Sequence, residues 1–331
     1  MALLIKSNSK IKDDINTGFG SNAFNYGGRF LNKDGTPNIK KTGVNFLERF
    51  SRFHSMLSFS RTKFFLLILG FYITINFLFT LIYYAIGTQN LAGLIVHSET
   101  ERFYEAFFFS TQTFTTVGYG RISPVGFFTS AIAAFEALIG LMSFALVTGL
   151  LYGRFSRPRA YLKFADNAII APYKNITGLM VRLAPFKNTM LTDAVAKLTI
   201  VLITEENGKL ANKFFNLDLE LLTVNALTLS WTLVHPITEE SPLYNFKESD
   251  YKNLKGEIIV FIKAFDDMFS STVVSRTSYI FEEVVYGARF IPMFHKDDAN
   301  HITILDLKKI STFEKINLPE RDSFSKILPL L

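Results

Sequence analysis

The pentapeptide Thr116-Val117-Gly118-Tyr119-Gly120, TVGYG, occurs once in the chain, between two apolar runs of membrane length. The first run, FFLLILGFYITINFLFTLIYYAI at Phe64–Ile86, has no charged residue in 23 positions. At about 1.5 Å per residue it makes roughly 35 Å of helix, enough to cross a hydrocarbon core with some tilt. The second run, Phe127–Tyr152, is also long enough and carries one carboxylate, Glu136. Between them EAFFFSTQTFT, Glu105–Thr115, is apolar and aromatic over only 11 residues, the length of a helix that enters a membrane without crossing it. The pattern therefore predicts spans at about 64–86 and 127–153 with a re-entrant helix at about 103–115 between them. Irregular backbone at that depth is tolerated only where protein buries it or where it lines a water-filled path. Gly118 and Gly120 permit backbone conformations closed to most other residues.

Composition agrees with this division. The chain has 331 residues, suiting two or three units, and its 49% hydrophobic content with 35 phenylalanines is concentrated locally. With no cysteine, disulfides, thiol catalysis and Cys-based zinc sites are excluded. The net charge of +6 is explained by its distribution. Arg49, Arg52, Arg61 and Lys63 precede the first span and Arg154, Arg157, Arg159 and Lys163 follow the second, whereas only Arg102 and Arg121 lie between the spans. This bias predicts cytoplasmic termini, and the apolar stretch at the start, MALLIKSNSKIKDD, is too short to be expected as a signal-peptide core. No groove-reading or base-stacking motif points to nucleic acid. Ahead of the first span, Phe46, Phe50, Phe53 and Leu57 recur at helical spacing, which predicts an interfacial helix within 45–60.

TVGYG is identical to the filter loop of potassium channels. That resemblance implies that the carbonyls of Thr116, Val117, Gly118 and Tyr119, with the Thr116 hydroxyl and Gly120 closing the loop, replace the hydration shell of K⁺. One chain supplies one loop, so four chains around an axis are expected.

From Tyr161 onward the composition changes to short β-branched and aromatic runs separated by Asn, Gly, Pro and Asp, which predicts an all-β sandwich of immunoglobulin-like kind. WTLVHPITEESPLYNF (Trp231–Phe246), SRTSYIFEEVVYGARFIPMF (Ser275–Phe294) and FSRPRAYLKFADNAII (Phe155–Ile170) resemble segments of inward-rectifier potassium channels, and the short turret and missing cysteines resemble the prokaryotic branch. The resemblance covers about 45–295. The expected organisation is an N-terminal cytoplasmic segment (1–44), an interfacial helix (45–60), a pore domain (61–157), a cytoplasmic sandwich (158–310) and a C-terminal tail (311–331).

Carried over by position, Gly140 and Gly149 match hinge glycines, Tyr152 matches the bundle-crossing gate, and Arg61, Lys63, Arg154, Arg157 and Arg159 match or neighbour residues that bind anionic phospholipid. The resemblance further implies a multi-pass protein of the bacterial inner membrane, K⁺ as permeant ion, no cofactor and no enzymatic activity. Transmembrane glycines also serve packing, a tyrosine at a span end also anchors the interface, and basic clusters also follow from topology alone.

Three departures stand out. Phe144 occupies the cavity position that is acidic in strongly rectifying relatives. Gln112 stands behind the filter where many relatives have glutamate, and Ile122 occupies the position of that glutamate's arginine partner, with Arg121 one residue earlier. Glu136 is expected behind the filter as well, because a carboxylate inside a span is costly. Glu205, Glu206, Asp266 and Asp267 are candidates for an acidic vestibule. His54, His235 and His295 lack metal-ligand spacing, and no G-x-S-x-G, HExxH, P-loop or G-x-G-x-x-G is present. The alternative from another class is a membrane-anchored lipid or partner sensor whose pore does not conduct.

Overall fold

The computed structural model describes residues 29–43, 45, 56–57, 59–206, 209–297, 299 and 301–318. The chain divides into two compact units, one of residues 41–157 and one joining residues up to 40 with those from 158 onward. Most of the interfacial helix expected over 45–60 lies outside the described residues, as do His54 and the Glu205 and Glu206 side chains.

In the first unit, α1 (Arg61–Ile86) starts at Ser60, whose side chain caps the Lys63 amide, and stops at Gly87, whose φ of 104° is open to glycine. Helix α2 (Glu99–Phe114) begins several residues before the expected 103. Ser98 Oγ accepts from the Glu101 amide at 3.2 Å, Glu101 accepts from the His97 amide at 2.6 Å, and Glu99 and Glu101 complement the helix dipole. Helix α3 (Phe127–Phe155) follows Gly126. Two two-residue strands, β1 (Leu91–Ala92) and β2 (Ser123–Pro124), pair and close the segment between the spans. Both α1 and α3 are long and apolar enough to cross a membrane.

The helices meet along narrow stripes. Thr129, Ala133, Glu136 and Gly140 are buried on α3, and Ala106, Phe109, Ser110 and Phe114 on α2, each at helical spacing. Phe79 and Tyr83 of α1 complete a small core with Leu91 and Ile122. Most other apolar side chains on the spans face outward, including Phe65, Leu69, Phe135 and Leu141.

The second unit is a two-sheet β-sandwich. One sheet has the order β11 (Ser271–Ile280), β10 (Gly256–Asp266), β6 (Leu191–Glu206) and β7 (Lys209–Leu217), with β8 (Thr223–Leu227) also on β6. The other has β12 (Val284–Tyr286), β4 (Ala168–Tyr173), β5 (Ile176–Pro185) and β3 (Leu162–Phe164), with β9 (Trp231–Pro236) on β5. Alternate residues build the core between them: Leu179, Val181 and Leu183 on β5, Leu198, Ile200 and Leu202 on β6, and Ile258, Val260 and Ile262 on β10. Burying each such side chain stabilises the fold by about 1.5–3 kcal/mol before chain entropy is counted. Strand β12 runs parallel to β4, so this sheet is mixed, unlike the antiparallel sheets of the immunoglobulin-like expectation. Three short strands, β13 (Ala288–Phe290), β14 (Phe294–Asp297) and β15 (Ile302–Leu305), precede β16 (Phe313–Lys315), which returns to β13.

The segment from Arg29 is part of this unit. Glu257 accepts from the amides of Phe30 (2.6 Å) and Leu31 (3.0 Å), Arg29 pairs with Glu283 at 3.0 Å, and Phe30 packs on Phe214. A carboxylate taking two backbone amides substitutes for strand pairing at this sheet face.

His235, in the WTLVHP strand, is buried between the Asp218 carbonyl (Nδ1, 2.7 Å) and Ser241 Oγ (Nε2, 2.7 Å). A carbonyl can only accept, so Nδ1 carries the hydrogen and the neutral ring fits both partners. Burial lowers the His235 pKa below its ordinary 6.5. The unfolded chain then takes up a proton that the folded one resists, so this contribution to stability is complete above pH about 6.5 and is lost as pH falls below it. We expect the unfolding midpoint, followed by the fluorescence of Trp231, the single tryptophan, to fall on acidification from pH 7.5 to 5.5. The fall should be smaller in His235→Gln, and equal slopes in the two proteins would refute the assignment.

Candidate functional site

The last turn of α2 hands the chain directly into TVGYG. The Thr115 amide donates to Thr111 O at 3.1 Å, the Thr116 amide to Thr113 O at 3.0 Å and the Val117 amide to Gln112 O at 3.0 Å. Helical carbonyls that would otherwise lack partners therefore hold the first two residues of the pentapeptide. Thr116 has φ 59°, Gly118 φ 55° and Gly120 φ 83°, whereas Val117 and Tyr119 between them are not in the left-handed region. The handedness thus alternates residue by residue. In a regular strand successive carbonyls point to opposite sides; alternating handedness turns them toward one side. A β-branched residue in the left-handed region costs on the order of 1–3 kcal/mol and persists only where its surroundings hold it there. The space at Gly118 and Gly120 is open to a Cβ, so glycine is needed there for conformation and not for room.

Beyond the pentapeptide, Arg121 Nη2 pairs with Glu105 Oε2 at 2.6 Å and Arg121 Nη1 donates to Gly93 O at 3.4 Å. The ion pair from α2 to the outgoing strand thus has its carboxylate at 105 and not at the neutral Gln112. Glu105 and Gln112 are seven residues apart and share that face. Glu105 was not singled out in the sequence, although an arginine beside TVGYG and a carboxylate two turns before Gln112 were legible. Gly93 is also required, since a Cβ there would come 1.8 Å from Arg121 O.

Glu136 is fully buried, with Oε2 accepting from Tyr83 Oη at 2.6 Å and Oε1 against Ser110 Oγ. Ser110 Oγ also lies 3.2 Å from Asn76 Oδ1. Tyr83, Asn76 and Ser110 escaped the sequence reading because single polar residues in apolar runs carry no partner information. One turn below Glu136, a Cβ on Gly140 would lie 1.8 Å from the carbonyl oxygen of Phe114, so α3 touches the end of α2 through a missing side chain. Gly149 has open space around it. Phe144 and Tyr152 are each 73% exposed in the single chain.

Arg61 and Lys63 are exposed on the first turn of α1, and Arg154 on the last turn of α3 lies over the Phe64 ring at 5.1 Å. Arg157 ends this unit and Arg159 belongs to the other. Asp266 is buried and accepts from the Met268 and Phe269 amides, which makes it a turn former inside the hairpin and removes it from any vestibule lining. Among the described residues no group of three His, Cys, Asp or Glu is placed to hold a metal ion.

Residues 162–327 match the model of the inward rectifier potassium channel C-terminal domain, and residues 71–157 match an ion channel model. The chain is 32% identical over 271 residues to the inward rectifier potassium channel Kirbac3.1 of Paramagnetospirillum magnetotacticum, covering 80% of this chain and 89% of that one. It is 27% identical to the inward rectifier potassium channel irk-1 of Caenorhabditis elegans over 56% of this chain and 36% of the longer relative. A solved DNA glycosylase, AlkC of Pseudomonas fluorescens bound to abasic-site DNA, overlaps 47% of this chain and 38% of its own at 13% identity with a TM-score of 0.19, which is no likeness of fold. Two membrane-length helices, a β-rich C-terminal unit and these matches lead to one conclusion: the chain is a membrane protein of the inward rectifier potassium channel family.

Proposed function

We propose that four copies of this chain surround one axis and conduct K⁺ through stacked carbonyls of Thr116, Val117, Gly118 and Tyr119. The observation that carries this reading is the alternating backbone handedness of Thr116, Gly118 and Gly120. A single chain offers one side of such a cage, and its Tyr119 and Phe128, 79% and 75% exposed, call for further copies around them. The protein is a passive conductor in this reading, without cofactor or enzymatic step, and sits in the bacterial inner membrane with both termini in the cytoplasm.

Tyr152 forms the gate where the four α3 helices converge, and Phe144 lines the cavity above it. A phenylalanine there offers no charge to concentrate polyamines or magnesium, so rectification by cavity block is weak. The basic residues Arg61, Lys63, Arg154, Arg157 and Arg159 hold anionic phospholipid headgroups, each contributing about 1 kcal/mol near such a surface. The β-sandwich, on the cytoplasmic side, passes regulatory binding on to α3.

The test is rubidium-86 uptake by liposomes containing the purified protein, driven by internal K⁺ or Na⁺, with and without barium. We expect uptake with K⁺, barium block and at least tenfold less with Na⁺; equal uptake with the two ions from a confirmed tetramer would defeat the filter reading. Gly118→Ala places a Cβ in the left-handed region at about 1–2 kcal/mol per chain, four times per pore, and should lower uptake at least tenfold. Gly140→Ala should cost about 1–3 kcal/mol per chain by overpacking and lower the thermal midpoint, whereas Gly149→Ala should leave it within about 1 °C. Similar midpoints for the two alanine variants would contradict the close approach at Gly140.

A further inference from the structure

Asn76, Tyr83, Ser110 and Glu136 join all three helices of the membrane unit through one buried polar cluster, and its hydrogen count is informative. Asn76 Nδ2 donates to Tyr72 O at 2.7 Å, which fixes the amide so that Oδ1 faces Ser110. Thr80 Oγ1 already donates to Asn76 O at 2.7 Å. Tyr83 Oη donates to Glu136 Oε2, since its one hydrogen has no other partner shown. Ser110 Oγ is left with three oxygen neighbours: Glu136 Oε1, Asn76 Oδ1 at 3.2 Å and Asn76 O at 3.2 Å. Both Asn76 oxygens can only accept, and the Ser110 hydroxyl has one hydrogen. An ionised Glu136 would leave three acceptors around one hydrogen.

Asn76 O is already served by Thr80 Oγ1, so the contacts to Glu136 Oε1 and Asn76 Oδ1 are the two that call for a hydrogen each. We infer that Glu136 carries the second one, donating from Oε1 to Ser110 Oγ while Ser110 donates to Asn76 Oδ1, and that the neutral acid is a positioning residue for the filter. Tyr83 is the titratable group that bonds Glu136 from α1. The charged residues of α2, Glu99, Glu101, Arg102 and Glu105, bond elsewhere: Glu99 and Arg102 with each other, Glu101 at the helix start and Glu105 with Arg121. Among the described residues no ion pair joins a cation to Glu136.

The positioning follows from spacing. Glu136 and Gly140 are one turn apart on α3, Ser110 and Phe114 one turn apart on α2, and each residue of the first pair meets its counterpart in the second. Two fixed points about 5–6 Å apart stop α2 from sliding or rotating against α3. The same last turn of α2 bonds the Thr116 and Val117 amides, so a shift of α2 moves the filter entrance directly.

This inference rests on the filter reading above, and the test separates the two. Glutamine at 136 can accept from Tyr83 and donate to Ser110, reproducing the neutral acid; alanine can do neither. In tetramers in liposomes we expect Glu136→Gln to keep rubidium-86 uptake and K⁺-over-Na⁺ preference within about twofold of wild type. Glu136→Ala and Ser110→Ala should lose at least tenfold in that preference. Preference retained in both alanine variants would overturn the positioning role, and Glu136→Gln behaving as Glu136→Ala would overturn the neutral acid. Infrared difference spectra of wild type minus Glu136→Gln give a second readout that needs no conduction. A carboxylic-acid carbonyl band is expected, and carboxylate bands in its place would overturn the proton assignment. Absence of K⁺-selective uptake in wild type would count against the filter reading and leave the spectroscopic result standing.

Discussion

The structure turns on the requirement that polar backbone inside a membrane be satisfied by protein. A helix meets it alone; a run of alternating left- and right-handed residues does not. Thr116–Gly120 is therefore built at the end of a helix whose last carbonyls take its first amides, and its outgoing arm is tied back by Arg121 to Glu105 and Gly93. The short strand pair Leu91–Ala92 with Ser123–Pro124 closes the same loop, and Val125 donates to Asn90 O at 2.7 Å. Each of these contacts is polar, as a segment with little apolar surface to bury requires.

The two units solve the burial problem in opposite ways. The sandwich closes its own core with residues of period two from both sheets, and this unit is stable in proportion to the apolar area it removes from water. The membrane unit buries only a narrow stripe on each helix and leaves its broad apolar faces outward. Small residues at the stripe, Ala133 and Gly140 on α3 and Ala106 on α2, let the helices approach closely where hydrophobic attraction gives no advantage over lipid.

Legibility in the sequence followed the same physics. The spans were readable because length and lack of charge are properties of a segment alone, and the β-rich half because turn residues punctuate its runs. The family was readable from Trp231–Phe246 and Ser275–Phe294. What stayed hidden depended on pairs. Glu136 was visible as an oddity, yet its partners Tyr83 and Ser110 lie 53 and 26 residues away and nothing local singles them out. The start of α2 at Glu99 carries a local signal in Ser98 and Glu101, ahead of the apolar run whose pattern marks the rest of the helix. The parallel β12–β4 pairing and the attachment of Phe30 and Leu31 to Glu257 are long-range and had no local mark.

The close approach of Gly140 to the Phe114 carbonyl also divides α3 mechanically. Above that point the helix is held by a bonded carboxyl and a backbone contact; below it Arg154 lies over the Phe64 ring of α1. From Gly140 to Tyr152 the arm is about 18 Å, so a tilt of about 10° would displace its end by about 3 Å, roughly the width of a water molecule. With Tyr152 as the proposed gate, a tilt of that size about Gly140 would move it through a distance that matters to an ion while leaving the pentapeptide at rest.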